Sequence, residues 1–309
     1  MGMPLHGARD NAFNLTVQDL ERHRDATFLG ENVVLVVSGN PANAQALQDS
    51  AAAKLGKWQT KPSDPINNSI LDINLEAPLL TPSTMAVRDD EMKNFNTSVG
   101  FKAPAYGDAD YFFLRYFQHI VGNYNGHEEG VAHLNASDRQ YNMAHVWLGD
   151  SPGINLFRTD YNAYSDGGLF STFIHGHEVW AMSMMYMGQF FTTEPSRSTN
   201  QAEVFRGRAS FFNELLQNSR PSIANNLSIG RDLLYTGERI GRNELARRVS
   251  AMADQQHVMK MSKKYFYDVD FSAVFYGSYH ANANWAYFDR AMRRSNTYGK
   301  DLWIFHWIK

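Results

Sequence analysis

The chain of 309 residues contains no cysteine, which excludes disulfides and thiolate metal sites and favours a reducing compartment or one where thiols are avoided. It has no apolar run near the roughly 18 residues that span a bilayer. A net charge of -3 leaves no cationic excess for a nucleic-acid surface. The opening residues, Met1 to Arg9, lack the apolar segment of a secretory signal and the long Arg- and Ser-rich amphipathic stretch of a mitochondrial one. Any targeting is therefore expected to use an internal signal or a segment absent from this sequence. What is present is ordinary for a globular protein, with 43% hydrophobic and 20% charged residues and length enough for two domains.

Met1 to Trp58 reads as helix, strand, helix. Thr16 can cap a helix with Asp19 in its first turn and Val17, Leu20 and Phe28 along one side. Val33 to Val37 is a continuous run of β-branched residues and Leu, the pattern of a strand buried on both faces. Gly39, Asn40 and Pro41 turn into a second helix, with Asn40 as cap and Pro41 at its first position, ending near Leu55 at Gly56. A lone strand between two helices leaves both edges unpaired, so either later residues or another polypeptide must flank it.

Pro62, Pro65, Pro78 and Pro82 with polar neighbours mark an extended linker. The domain assignment is therefore 1–62 for an incomplete first domain, 63–83 for a linker and 84–309 for a complete second domain. Within the latter, Asn96 to Ala103 alternates as a strand. Asp108 is expected to cap a helix that buries Phe112, Phe113, Tyr116, Phe117, Ile120 and Val121 and stops at Gly122. Ile154 to His175, broken at Asp166-Gly167-Gly168, reads as two strands and a turn. Glu178 to Phe191 reads as a helix carrying Met182, Met185 and Phe190. Ser198 with Gln201 has the spacing of a capping box for a helix reaching Leu216, and Pro221 opens the next. Asn243–Met252 and Gln255–Phe266 form a helical pair before a last strand, Phe271 to Tyr276. This order implies an α+β fold with helices packed on one face of a sheet. The helix and strand in 16–58 echo those in 243–276, as a truncated copy of the same fold would.

The segments His119-Ile-Val-Gly-Asn-Tyr124, Tyr164-Ser-Asp-Gly-Gly-Leu-Phe170, Ile229-Gly-Arg-Asp-Leu-Leu-Tyr-Thr-Gly237, Lys264-Tyr-Phe266 and Val33-Val-Leu-Val-Val-Ser-Gly39 occur in the order found in one family. With Pro4-Leu5 and the Arg290 to Trp303 stretch, they resemble the C-terminal part of the mitochondrial processing peptidase β subunit. The same pitrilysin-type family supplies core subunit I of ubiquinol–cytochrome c reductase, respiratory complex III. The resemblance covers nearly the whole chain. It implies two-layer α/β domains of like fold facing a cavity, here one complete domain preceded by a piece of another. It implies a place on the matrix side of the mitochondrial inner membrane, within the respiratory chain and its electron transport, with no transmembrane segment in the chain. The implied partners are a polypeptide bearing the N-terminal half of the β-type subunit, the α-type subunit or core subunit II, other complex III subunits, and presequence peptides if the cavity is used. No nucleic acid is expected.

Active members of that family hold zinc through His-x-x-Glu-His and a distant Glu, with the Glu between the histidines activating the attacking water. None of the 11 histidines has that spacing. No catalytic residue and no metal ligand is therefore assigned, no cofactor is expected in this chain, and zinc is expected only on a partner that keeps the motif. In His175-Gly-His-Glu178, Val179 stands where the second His would be, and His127-Glu-Glu129 fails the forward motif as well. His175 and His177 share a strand face that could grip a metal, but surface or hydrogen-bonded histidines account for them better. His127, Glu128, Glu129 and His133 read as a solvated loop. Met182 to Met187 reads as core filling rather than a peptide site. Arg290, Arg293 and Arg294 read as a solvated helix face, with anionic lipid or a subunit as the alternative contact.

The resemblance assigns one substrate-binding candidate, Tyr164, which matches a tyrosine on the strand lining the family's cavity. A buried tyrosine in a hairpin would explain it equally well. The glycine-rich substrate loop of the α subunit does not fit Asn125 to Ser137, whose only glycines are Gly126 and Gly130. Three readings follow: a structural half of a divided β-type subunit, half of an active peptidase cut from one precursor, and a free-standing peptide-binding protein. Met1 argues mildly against the second. The third requires a monodisperse monomer from the chain alone, whereas the first anticipates aggregation or disorder of residues 1–58.

Overall fold

The structure is a computed structural model, and it describes residues 7, 9–38, 41–58, 80–125, 153–219 and 222–279. The chain divides into two compact units, one of residues 1–78 with 219–239 and one of 79–218 with 240–309. The first unit thus includes a segment, 219–239, that the sequence reading assigned to the second domain.

The second unit is built on a six-stranded mixed sheet. Its strands are β1 (Thr84–Arg88), β2 (Asn94–Ala103), β3 (Tyr124–Asn125), β4 (Ile154–Ala163), β5 (Gly168–His177) and β6 (Phe271–Gly277), in the order β1-β6-β2-β5-β4-β3. β1 runs parallel to β6, and the other pairings are antiparallel. β1 and β3 carry no alternating signal long enough to read from sequence, and both lie at the edges. In chain order the unit's long helices are α4 (Tyr111–Val121), α5 (Ala181–Thr193), α6 (Gln201–Ser219), α8 (Arg242–Met252) and α9 (Gln255–Phe266).

Alternation decides which side of the sheet is covered. Phe95, Thr97, Val99, Phe101 and Ala103 of β2 are buried, while the intervening residues are partly or fully exposed. The buried side continues through Phe170, Thr172 and Ile174 of β5 and Phe271, Ala273 and Phe275 of β6. Phe113, Tyr116 and Phe117 of α4, Met184 and Met185 of α5, and Phe266 of α9 fill the same core. The Phe266 ring lies 5.0 Å from Phe117, 5.0 Å from Phe170 and 5.2 Å from Phe101. Each such ring contributes about 1.5–3 kcal/mol by leaving water. This is the α+β arrangement expected, with helices on one face.

Several local readings need correcting by a few residues. Asp108 does not cap α4: its carboxylate accepts from the Ala105 N–H at 2.8 Å in the preceding turn, and α4 begins at Tyr111. The cap of α6 is Asn200 rather than Ser198, since Asn200 accepts from the Ala202 N–H at 2.9 Å and its own N–H donates to Glu203 at 2.9 Å. Glu178–Trp180 is a 3-10 turn, and the α-helix starts only at Ala181. That offset makes Met184, Met185 and Phe191 the buried residues, with Met182, Met187 and Phe190 packed against them, so the methionine run is core. Pro41 opens a 3-10 turn, Pro41–Asn43, and not the α-helix.

The first unit contains α1 (Arg9–Asn14), α2 (Val17–Thr27), α3 (Ala44–Leu55) and α7 (Ser222–Thr236). The α2 capping box is formed: Thr16 accepts from the Asp19 N–H at 3.3 Å, and Asp19 accepts from the Thr16 N–H at 3.0 Å. The strand expected at Val33–Val37 is not formed. Residues 33–38 belong to no helix or strand, no described strand pairs with them, and Val33, Val34, Leu35 and Val37 are exposed. The reason is the one the sequence raises: a strand exists only by hydrogen bonding to a neighbour. Among the described residues of this unit, only Ala26 and Leu29 are buried hydrophobics.

Gly188 of α5 faces the sheet, and a Cβ there would stand 2.8 Å from a Val99 methyl and 3.3 Å from the Thr172 hydroxyl, which donates to the Gly188 carbonyl. Gly188→Ala is expected to lower stability by about 1–2 kcal/mol through overpacking, measured by urea unfolding. An unchanged midpoint would show that α5 can lift off the sheet.

Candidate functional site

Of the described candidates from the sequence, His175 and His177 lie on the open side of the second unit's sheet. Strand register puts Leu156, His175, Asn96 and Tyr276 in one row across it, Arg158, Phe173, Ser98 and Val274 in the next, and Asp160, Ser171, Gly100 and Ser272 in the third. The third row is nearly flat, because it holds two serines and a glycine. Arg158 donates to Asp160 at 2.9 Å, so the two charges at this end neutralise each other. The surface mixes polar and apolar side chains, with an apolar corner where Met85 pairs with Val274 and Val87 with Tyr276.

His175 and His177 do lie on this one side, but they do not converge. His175 Nδ1 is 2.8 Å from the Asn96 side-chain oxygen, so it donates there, while His177 Nδ1 accepts from the Val179 N–H at 3.3 Å as the cap of the 3-10 turn. Glu178 uses its N–H to donate to the Lys93 carbonyl at 3.2 Å. Among the described residues no group of three His, Asp or Glu side chains could hold a metal ion.

Tyr164 is the first residue past β4. Its N–H donates to the Gly167 carbonyl at 2.8 Å, and its carbonyl accepts from the Tyr106 N–H at 2.9 Å. With 44% of its surface accessible it is not a buried hairpin tyrosine, so burial does not explain it. His127, Glu128, Glu129 and His133, most of the loop from Asn125 to Ser137, and Arg290, Arg293 and Arg294 lie outside the described residues.

Two polar clasps that the sequence reading missed hold the helices behind the sheet. In the first, Glu214 of α6 pairs with Arg115 and accepts from His119 Nε2 at 2.7 Å, both on α4. His119 Nδ1 lies 2.9 Å from the Ser210 hydroxyl. Burial opposes the charge on Glu214, but the His119 hydrogen bond and the Arg115 guanidinium outweigh it and hold the carboxyl below its ordinary value. In the second, Asp110 accepts from Lys264 and from the Tyr265 hydroxyl, tying the start of α4 to α9. Partners 91 to 155 residues apart leave no local spacing to read. Both clasps tie α4 to a neighbouring helix, the first to α6 and the second to α9.

The family model described as "Peptidase M16 inactive domain" matches residues 14–171. The chain belongs to the peptidase M16 family. It is 26% identical over 271 residues to the probable mitochondrial-processing peptidase subunit beta of Arabidopsis thaliana, covering 87% of this chain and 49% of that protein. It is 22% identical over 281 residues to the mitochondrial-processing peptidase subunit beta of Neurospora crassa, covering 90% and 56%. Thus the chain spans about half the length of the curated relatives it matches. Among solved structures it is similar to a chain of complex III2 from Candida albicans with Inz-5 bound, at a TM-score of 0.74 and 19% identity, over 89% of this chain and 62% of that one. A protease from Helicobacter pylori is similar at a TM-score of 0.68 and 15% identity, over 87% and 61%. The fold is therefore shared with a chain of a complex III2 and with a bacterial protease. Among the described residues of this member, no helix is long and apolar enough to cross a membrane.

Proposed function

We propose that this M16 chain is the non-catalytic C-terminal half of a β-type processing peptidase or core I subunit, a structural component on the matrix side of complex III. It completes its first domain with a separate polypeptide bearing the N-terminal half. The observation that carries this reading is the apolar surface of the first unit: Phe13, Val17, Leu20, Phe28, Val33, Leu35 and Val37 all face solvent, although their sequence pattern is that of a buried core. A globular protein seldom leaves so many large apolar side chains uncovered without a partner for them. The missing His-x-x-Glu-His and the inactive-domain match support a non-catalytic role.

In this reading the α-type subunit or core subunit II and other complex III subunits pack around the pair, and zinc, where it is used, sits on the N-terminal partner. The open side of the sheet then forms the far wall of a cavity, where Tyr164 is placed to touch an extended presequence. The test is to purify the native assembly through this chain, identify its polypeptides by mass spectrometry and assay zinc. Complex III subunits with a partner lacking the zinc motif are expected. Bound zinc and a partner carrying His-x-x-Glu-His would instead make the chain the cavity half of an active presequence peptidase. Recovery of the chain alone would sink both.

A further inference from the structure

From the geometry of the first unit we infer that α7 is a second gripping element for the N-terminal-half polypeptide, covering a strand that this polypeptide adds beside residues 33–38. The inference rests on the proposed pairing and deepens it.

α7 lies between helices of the second unit in sequence, yet it groups with residues 1–78 in space. It meets the 33–38 segment at Gly230, where a Cβ would stand 3.7 Å from a Val36 methyl. At about 100° per residue, Ile223, Leu234 and Leu227 fall within roughly 60° to one side of Gly230. These three are 74%, 59% and 67% exposed. On the other side of Gly230, Asn226, Ile229 and Leu233 are partly covered. The helix therefore meets the 33–38 segment at Gly230, beside its partly covered side, and leaves the apolar stripe of Ile223, Leu227 and Leu234 open.

Layer geometry says what belongs there. A helix is about 10 Å across and neighbouring strands are about 4.8 Å apart, so a helix packed on a sheet covers at least two strands. α7 covers one extended segment, with no described strand beside it. An added strand would satisfy the free edge of 33–38 and slide its own apolar side chains under Ile223, Leu227 and Leu234. The curated relatives carry about as much chain again beyond the matched part, enough to supply such strands. No Lys, Arg, Asp or Glu interrupts the stripe, which suits a sheet face rather than a lipid headgroup or an acidic peptide.

The experiment uses the full chain, tagged and expressed in the cells that make it, and quantifies the co-purified M16 N-terminal-half polypeptide by mass spectrometry. Ile223→Asp with Leu227→Asp is expected to lower its recovery roughly tenfold or more, since buried unpaired carboxylates oppose docking. Ser228→Asp, exposed on the opposite side of α7, is expected to leave recovery unchanged. In parallel, carbene footprinting of the wild-type assembly is expected to show Ile223, Leu227 and Leu234 protected, whether or not the double variant folds. Wild-type recovery in the double variant, or free labelling of the stripe while the partner is present, overturns the role of α7 alone. Absence of any such partner from the wild-type purification overturns the pairing itself and this inference with it.

Discussion

Gly277→Ala is expected to be the most damaging single-methyl change in the second unit, lowering its stability by about 3–5 kcal/mol. Gly277 ends β6 at φ 128, in a region that L side chains rarely enter. A Cβ there would stand 2.3 Å from the Asn94 carbonyl oxygen and 3.1 Å from Phe95 Cα. Both obstacles are backbone of the neighbouring β2, which cannot turn away as a side chain would. The residue is also a junction: β6 pairs with β1 through Arg88 and with β2 through Phe95 at this position, and the Gly277 carbonyl accepts from the Asp89 N–H at 3.2 Å. Relieving the clash would thus open two ladders of the sheet together. Thermal melting followed by near-UV circular dichroism is expected to show a midpoint roughly 10 °C lower. Gly107→Ala, where nothing lies within 4 Å of the added methyl, is the control expected to melt as wild type. Equal midpoints for the two variants would mean the β6 terminus is looser than this geometry.

Glu214→Gln comes next, with an expected loss of about 2–3 kcal/mol at neutral pH. The substitution keeps the side chain's shape but leaves Arg115 beside a neutral amide, and a part-buried guanidinium without its carboxylate is costly. The amide also keeps only one acceptor oxygen, whereas the carboxylate uses one for Arg115 and the other for His119. The effect must depend on pH. The folded carboxyl of Glu214 lies below its ordinary value of 4.5, so the ionised form is favoured in the folded state. Its contribution is complete above the unfolded value and is lost as pH falls through the folded one. Urea unfolding is therefore expected to show a constant gap between wild type and Glu214→Gln from pH 7 to about 5, narrowing below 4.5. A gap unchanged at pH 3.5 would show that the amide's packing, and not its missing charge, causes the loss. Replacing Arg115 and Glu214 together by Met and Leu is expected to cost less than the sum of the single changes, because no charge is then stranded.

These two positions show why some of the molecule could be read from its sequence and some could not. β2, β5 and β6 were legible because alternation over several residues reports a half-buried sheet without reference to any partner. The α2 cap was legible because Thr16 and Asp19 are three residues apart. Asp108 and Ser198 misled for a related reason: Asp, Ser and Asn all satisfy free N–H groups, and only the path of the chain decides which of several nearby candidates does so. The Arg115, His119, Ser210 and Glu214 clasp left no trace, since its members are brought together by the crossing of α4 and α6. Tyr164 was marked by resemblance, and its exposure came from the turn at 164–167.

The segment 33–38 separates the two kinds of information most sharply. Sequence alone determined that Val33 to Val37 wants to be a central strand, that the chain carries no His-x-x-Glu-His, and that helices pack on one face of an alternating sheet, because composition and period act locally. Only the tertiary structure decided that no described strand pairs with that segment, that α7 joins the first unit from the far side of the chain, and that His175 and His177 are spent on Asn96 and a turn. Pairing, docking and convergence depend on residues distant in sequence, and their hydrogen bonds and buried surface exist only once the whole chain has taken its path.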